Sequence, residues 1–227
     1  MIKKAHEAYN KEDFKTAFEL YTELASTNAD AMTSLGFMYQ NAIACQRDDK
    51  KVVEYYEKAA ELKQPYAIFN LAILYMNGLC GVEHDQFKAH ELHMQAAELE
   101  VPPAMYEVAL MLERGLGCLQ NYSEAAFWYE EGAKRGHLES FNNLGVLYKD
   151  GHGVEVDESR CFLCFKKAAD GGIGEGLYNL GQLYDQGFGC EQDHDKALDL
   201  CRKAAYKGHT KAKEIIKNLQ NDGKIVF

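Results

Sequence analysis

Apolar positions recur along the chain with two nested periods. The short one is helical: Leu144, Leu147 and Tyr148 stand at i, i+3, i+4, and Cys161, Phe165 and Ala168 at i, i+4, i+7, each set marking one face of an amphipathic helix. The long period brings five segments into register, beginning SLGFMY at Ser34, NLAILY at Asn70, EVALML at Glu107, NLGVLY at Asn143 and NLGQLY at Asn179. Their apolar anchors Leu35, Leu71, Val108, Leu144 and Leu180 are 36, 37, 36 and 36 residues apart. A second anchor follows each one, at Ala59-Ala60, Ala96-Ala97, Gly132-Ala133, Ala168-Ala169 and Ala204-Ala205, spaced by 37, 36, 36 and 36. Two independent anchors holding one period mark an internal repeat, and the repeat governs how every other motif is interpreted.

Each unit reads as two amphipathic helices. Gly-rich turns such as DGHGV at 150–154 and QGFGC at 186–190 separate them, where glycine closes a helix in a left-handed conformation. Asp157, Asp193 and Ser123 are placed to cap the second helices. The segment KAKEIIKNLQND supplies one more helix, with Ile215, Ile216 and Leu219 inward and lysines outward, as the end of a stacked array requires.

The unit resembles the Sel1-like repeat, the longer-looped relative of the tetratricopeptide repeat. Asn143, Leu144, Gly145, Leu147, Tyr148, Gly151, Gly153, Val154, Asp157, Phe165, Lys167, Ala168, Ala169 and Gly171 carry the resemblance within one unit. NAIAC at 41–45 lacks both loop glycines, and VALML at 108–112 replaces the Gly and the Tyr. The resemblance implies an all-α fold, a right-handed α-solenoid of about six stacked antiparallel helix pairs and a C-terminal capping helix. A single domain over 1–227 is expected, with a tetratricopeptide-like unit at 1–27, Sel1-like units at 28–63, 64–100, 101–136, 137–172 and 173–208, and the cap at 209–221.

Such a solenoid presents a concave surface. By similarity to tetratricopeptide repeats, first-helix positions two before, two after and five after the anchor line it. The candidate partner-binding residues are Phe37, Phe69, Ile73, Met76, Tyr106, Leu110, Asn142, Val146, Lys149, Tyr178 and Gln182, with Asn70, Asn143 and Asn179 one position before the anchor. The middle units are apolar and aromatic there, which suits an amphipathic helix or an extended peptide; the later units are polar. Two readings stand side by side: these side chains receive a partner, or they pack between neighbouring helices. The asparagine ladder divides the same way, between clamping a peptide backbone and bonding an adjacent helix.

Composition narrows the function further. A formal net charge of −10 argues against nucleic acid and anionic membranes as partners. Arg202 to Lys224 holds seven Lys/Arg against two Asp/Glu, a basic end read as a solvated terminus. Seven cysteines show no pairing rhythm, so reduced thiols in the cytoplasm are expected. Cys161 and Cys164 fall in apolar slots of the repeat and read as packing rather than as a redox motif. Cys80, His84, His90 and His93 match no metal-ligand spacing, and no nucleophile and base motif is present, so no catalytic residue, metal or cofactor is assigned. The expected function is a non-catalytic scaffold that binds a peptide or helix of another protein. The alternative is a Cys/His-dependent metal-binding or hydrolytic module of the β-lactamase-like kind, and self-association through the N-terminal helix is a further possibility.

Overall fold

The computed structural model describes residues 1–221, and among them it is built only of α-helices. These are α1 (Ile2–Asn10), α2 (Phe14–Leu24), α3 (Ala29–Gln40), α4 (Asp49–Glu61), α5 (Pro65–Asn77), α6 (Gln86–Glu98), α7 (Pro102–Arg114), α8 (Tyr122–Lys134), α9 (Leu138–Asp150), α10 (Glu158–Asp170), α11 (Gly174–Gln186), α12 (His194–Tyr206) and α13 (Thr210–Asn221). They form two compact units, Met1–Leu119 and Gln120–Phe227. Within each unit every helix packs on the next in sequence, the pattern of stacked helix pairs. Lys224, part of the basic end noted above, lies outside the described residues.

Local chemistry sets the helix limits. Second helices start on a side-chain cap: Asp48, Asp85, Asn121, Asp157 and Asp193 accept the backbone N–H three residues on, satisfying a donor that the helix leaves free. Asp157 and Asp193 do what the sequence suggests. Ser123 does not: Asn121 takes the cap, and the Ser123 hydroxyl donates to the Gly153 carbonyl at 2.8 Å. First helices α5, α7, α9 and α11 end on left-handed Gly78, Gly115, Gly151 and Gly187. The imidazoles of His137 and His209 cap α9 and α13, accepting the amides of Ser140 and Ala212.

The core follows the two anchors. Leu35, Val108, Ala59, Ala96, Ala168 and Ala204 are wholly buried, and a fully buried Leu or Val stabilises by about 1.5–3 kcal/mol. An aromatic slot on the second helix completes each layer: Tyr56 in α4, Tyr129 in α8 and Phe165 in α10 are sealed from solvent. The rings lie so near the first helices that a Cβ at Gly36 would stand 2.6 Å from Tyr56, and one at Gly145 2.8 Å from Phe165. Where the equivalent of Gly36 is Ala72, the slot in α6 holds the smaller imidazole of His93.

Candidate functional site: the first-helix faces

In the first unit the candidate residues lie on α3, α5 and α7. Phe37 is 43% exposed, unusual for so large an apolar side chain, and Phe69, Ile73, Met76, Tyr106 and Leu110 are half-buried. A cleft of about 340 Å³ opens beside Phe37, walled by Tyr9, Tyr21, Thr33, Ser34 and Asn70. Tyr9, Tyr21 and Ser34 are not among the sequence candidates. Ser34 is legible as the residue before its anchor, whereas the two tyrosines come from the N-terminal pair, whose shorter turn breaks the register.

The polar ladder is tied to the aromatic slot. Ser34 bonds the Tyr21 hydroxyl, and Asn70 bonds that of Tyr56, which itself donates to Gln40 Oε1 at 3.1 Å. The third rung differs: Glu107 stands where the others carry Ser or Asn, and the matching slot is His93. Burial raises the Glu107 carboxyl above the ordinary carboxylate range, opposed by the charge of Arg114. Burial likewise pushes the His93 imidazole down to about 4, and the nearby charge of His90 adds to it. His93 Nδ1 is sealed from solvent without a hydrogen-bond partner, and its ring meets Phe69 at 5.5 Å between centroids.

In the second unit the candidates lie on α9 and α11 and are bound to one another. Asn142 is buried; its amide nitrogen donates to Asn143 Oδ1 at 3.2 Å and its oxygen accepts from Asn179 at 2.9 Å. Asn143 donates to the Tyr129 hydroxyl at 2.9 Å, and Gln182 to that of Tyr178 at 3.0 Å. Asn142 thus positions its neighbours and has no amide end left to offer. Val146, Lys149, Tyr178 and Gln182 are half-buried, with Tyr178 stacked on His209 at 4.3 Å. A cleft of about 380 Å³ follows, with Tyr178, Gln182 and Asp185 on one side and Ile215 and Leu219 on the other.

The features suggestive of catalysis have structural explanations. Ser140, His137 and Glu139 lie at triad-like distances, 3.0 Å from Oγ to Nδ1 and 3.6 Å from Nε2 to the carboxylate. Yet the Ser140 hydroxyl belongs to a wholly buried residue, and Nδ1 is occupied in capping the helix. Among the described residues no three His, Cys, Asp or Glu side chains are grouped to hold a metal ion. Cys161 and Cys164 are buried free thiols, each pushed up to about 12 by that burial. A thiolate is the reacting species, so both should alkylate with iodoacetamide at pH 8 at least about a hundredfold more slowly than a free thiol. Peptide mapping of the labelled chain measures this, and rates near that of free cysteine would contradict the burial.

The architecture defines an α-solenoid repeat protein built of stacked helix pairs. The Sel1 repeat model matches residues 29–63, 65–101, 102–137, 142–173 and 174–209, and the chain belongs to the Sel1 repeat family, whose members are in general protein–protein interaction scaffolds. The chain is similar to a Sel1 repeat protein from Oxalobacter formigenes, with a TM-score of 0.90 and 26% identity over 96% of this chain and 87% of that one. It is also similar to c5321, a protective antigen of uropathogenic Escherichia coli strains, with a TM-score of 0.84 and 26% identity over 92% of this chain, which spans 45% of that protein. Immunity protein Pa5087 from Pseudomonas aeruginosa aligns with a TM-score of 0.51 and 26% identity over 81% of this chain and 67% of its own. No curated protein sequence matches the chain. Among the described residues no helix is long and apolar enough to cross a membrane.

Proposed function

We propose that this protein is a non-catalytic scaffold whose first-helix faces bind a peptide or helical segment of another protein. One observation carries the reading: Phe37, 43% exposed, borders a cleft of about 340 Å³, and Phe69, Ile73 and Met76, at the matching register positions of α5, are half-buried. Apolar side chains held between core and solvent gain from being covered by a partner's apolar anchors. The polar ladder adds orientation, through Asn70 in the first unit and Asn179 in the second. Preformed helices lose little freedom on binding, so more of the contact energy appears as affinity. The seven unpaired cysteines favour a reducing, cytoplasmic setting.

Proteins captured by the full chain from source-cell extract and identified by mass spectrometry would be purified and titrated against Phe37→Ala and Phe69→Ala variants. Affinity should fall about tenfold or more in each, the usual scale for an interface anchor, while Phe37→Ala leaves the melting temperature nearly unchanged. Equal affinity for wild type and Phe37→Ala, with binding lost instead on changes in the second helices, would overturn the reading.

A further inference from the structure

The second unit carries a cleft on another face, between second helices α10 and α12. It holds about 410 Å³ and is lined by Ala169 and Gly172 at the end of α10, Leu177 of α11, and Arg202, Tyr206 and Lys207 at the end of α12, beside Lys203. Its floor is apolar and its rim is cationic, in a chain whose formal net charge is −10. Lys203 is already answered by Asp199 at 2.7 Å. The side chains of Arg202 and Lys207 have no ion pair or hydrogen bond among the described residues. The Nε of Arg202 is sealed from solvent without an acceptor, and a buried donor left unpaired is costly. Tyr206 extends beside these cations, 92% exposed.

We propose that this cleft docks an acidic segment of a partner protein. A carboxylate end-on to Arg202 accepts from its two terminal nitrogens together, the paired geometry that a guanidinium offers and an ammonium does not. Lys207 supplies a second charge. The partner's neighbouring apolar side chain covers Ala169, Leu177 and the ring of Tyr206. The site is separate from the first-helix faces and does not rest on the reading given for them.

Two capped peptides, Ac-Asp-Leu-Asp-Leu-NH2 and Ac-Asn-Leu-Asn-Leu-NH2, test it by NMR titration of the full chain. The acidic peptide should shift the amides of Gly172, Leu177 and Tyr206, with the neutral one at least about fivefold weaker and binding falling as salt rises from about 0.05 M to about 0.5 M. The Arg202→Gln, Lys207→Gln double variant should weaken the acidic peptide at least about fivefold. If that variant disturbs the spectrum elsewhere, Lys207→Gln alone, at an exposed position, should weaken it at least about twofold. Equal binding of both peptides, or no loss in the folded variants, would overturn the proposal. So would shifts produced by inorganic phosphate but not by the acidic peptide, which would mark a small-anion pocket.

Discussion

Acidification from about pH 7 to about pH 4 should cost the wild-type chain about 3 kcal/mol more folding stability than it costs a His93→Phe variant. The sign follows from burial. In the folded chain the His93 imidazole sits in an aromatic slot, and desolvation holds it down to about 4 against an ordinary value of 6.5. The unfolded chain therefore takes up a proton first as pH falls, and each increment of uptake favours unfolding. The stabilisation from a neutral His93 is fully present above about 6.5 and is lost progressively down to about 4, with roughly 2 kcal/mol gone by pH 5. His90 works in the same direction, since its charge disfavours a second one on His93. Glu107, with its carboxyl raised by burial, works the other way, because its folded form binds protons more readily. Both remain in the variant, so the difference between the two proteins isolates His93. Urea unfolding at a series of pH values measures it. Parallel pH profiles for wild type and variant would mean that the imidazole is hydrated in the folded chain.

The repeat makes most of the architecture legible, because stacked helix pairs impose their period directly on the apolar residues. The aromatic slot is legible too, since Tyr56, His93, Tyr129 and Phe165 share one position. What the slot bonds to is not, because the Tyr56 contact with Asn70 and the Tyr129 contact with Asn143 join helices of successive repeats. Pattern alone assigns a residue to a face and leaves its partner open. The ladder amides therefore carry two readings; Asn143 bonds Tyr129 and Asn142, and Asn179 donates to Asn142, which stands outside the ladder, two positions before its anchor. His93 stands out in the sequence as one of several clustered histidines, yet its surroundings are those of a core ring. The cap expected at Ser123 falls on Asn121 because both residues suit a helix start, and only the backbone path decides which oxygen meets the free amide. The basic end reads as a solvated terminus by composition. Its Arg202 is different because an apolar wall from α10 and α11 stands opposite, a juxtaposition that sequence distance conceals.

Replacing Gly153 with Ala should destabilise the chain by about 2–4 kcal/mol, well beyond the cost of the same change at Gly136. Both residues hold positive φ, +71° and +87°, so both substitutions incur the penalty of a left-handed Cβ, about 1–2 kcal/mol. They differ in space. A Cβ on Gly136 meets nothing within 4 Å, whereas one on Gly153 runs into the backbone of Tyr122 and Ser123 at the start of α8. The loop after α9 rests on that first turn, held by the Ser123 hydroxyl on the Gly153 carbonyl, and neither backbone can give way cheaply. Gly189 sits on Glu158 of α10 in the same manner, where a Cβ would stand 2.5 Å from the carbonyl oxygen. The corresponding positions in the first two loops are Ala44 and Cys80, whose φ values of +56° and +55° show the same backbone path followed without glycine. Ala44→Gly should then stabilise by about 0.5–1 kcal/mol, since the relief of left-handed strain outweighs the added flexibility of the unfolded chain. Urea unfolding of the three variants measures all of this. A Gly153→Ala cost no larger than that of Gly136→Ala would mean that the loop does not bear on α8, and a loss of stability in Ala44→Gly would mean that the Ala44 methyl group packs more than it strains.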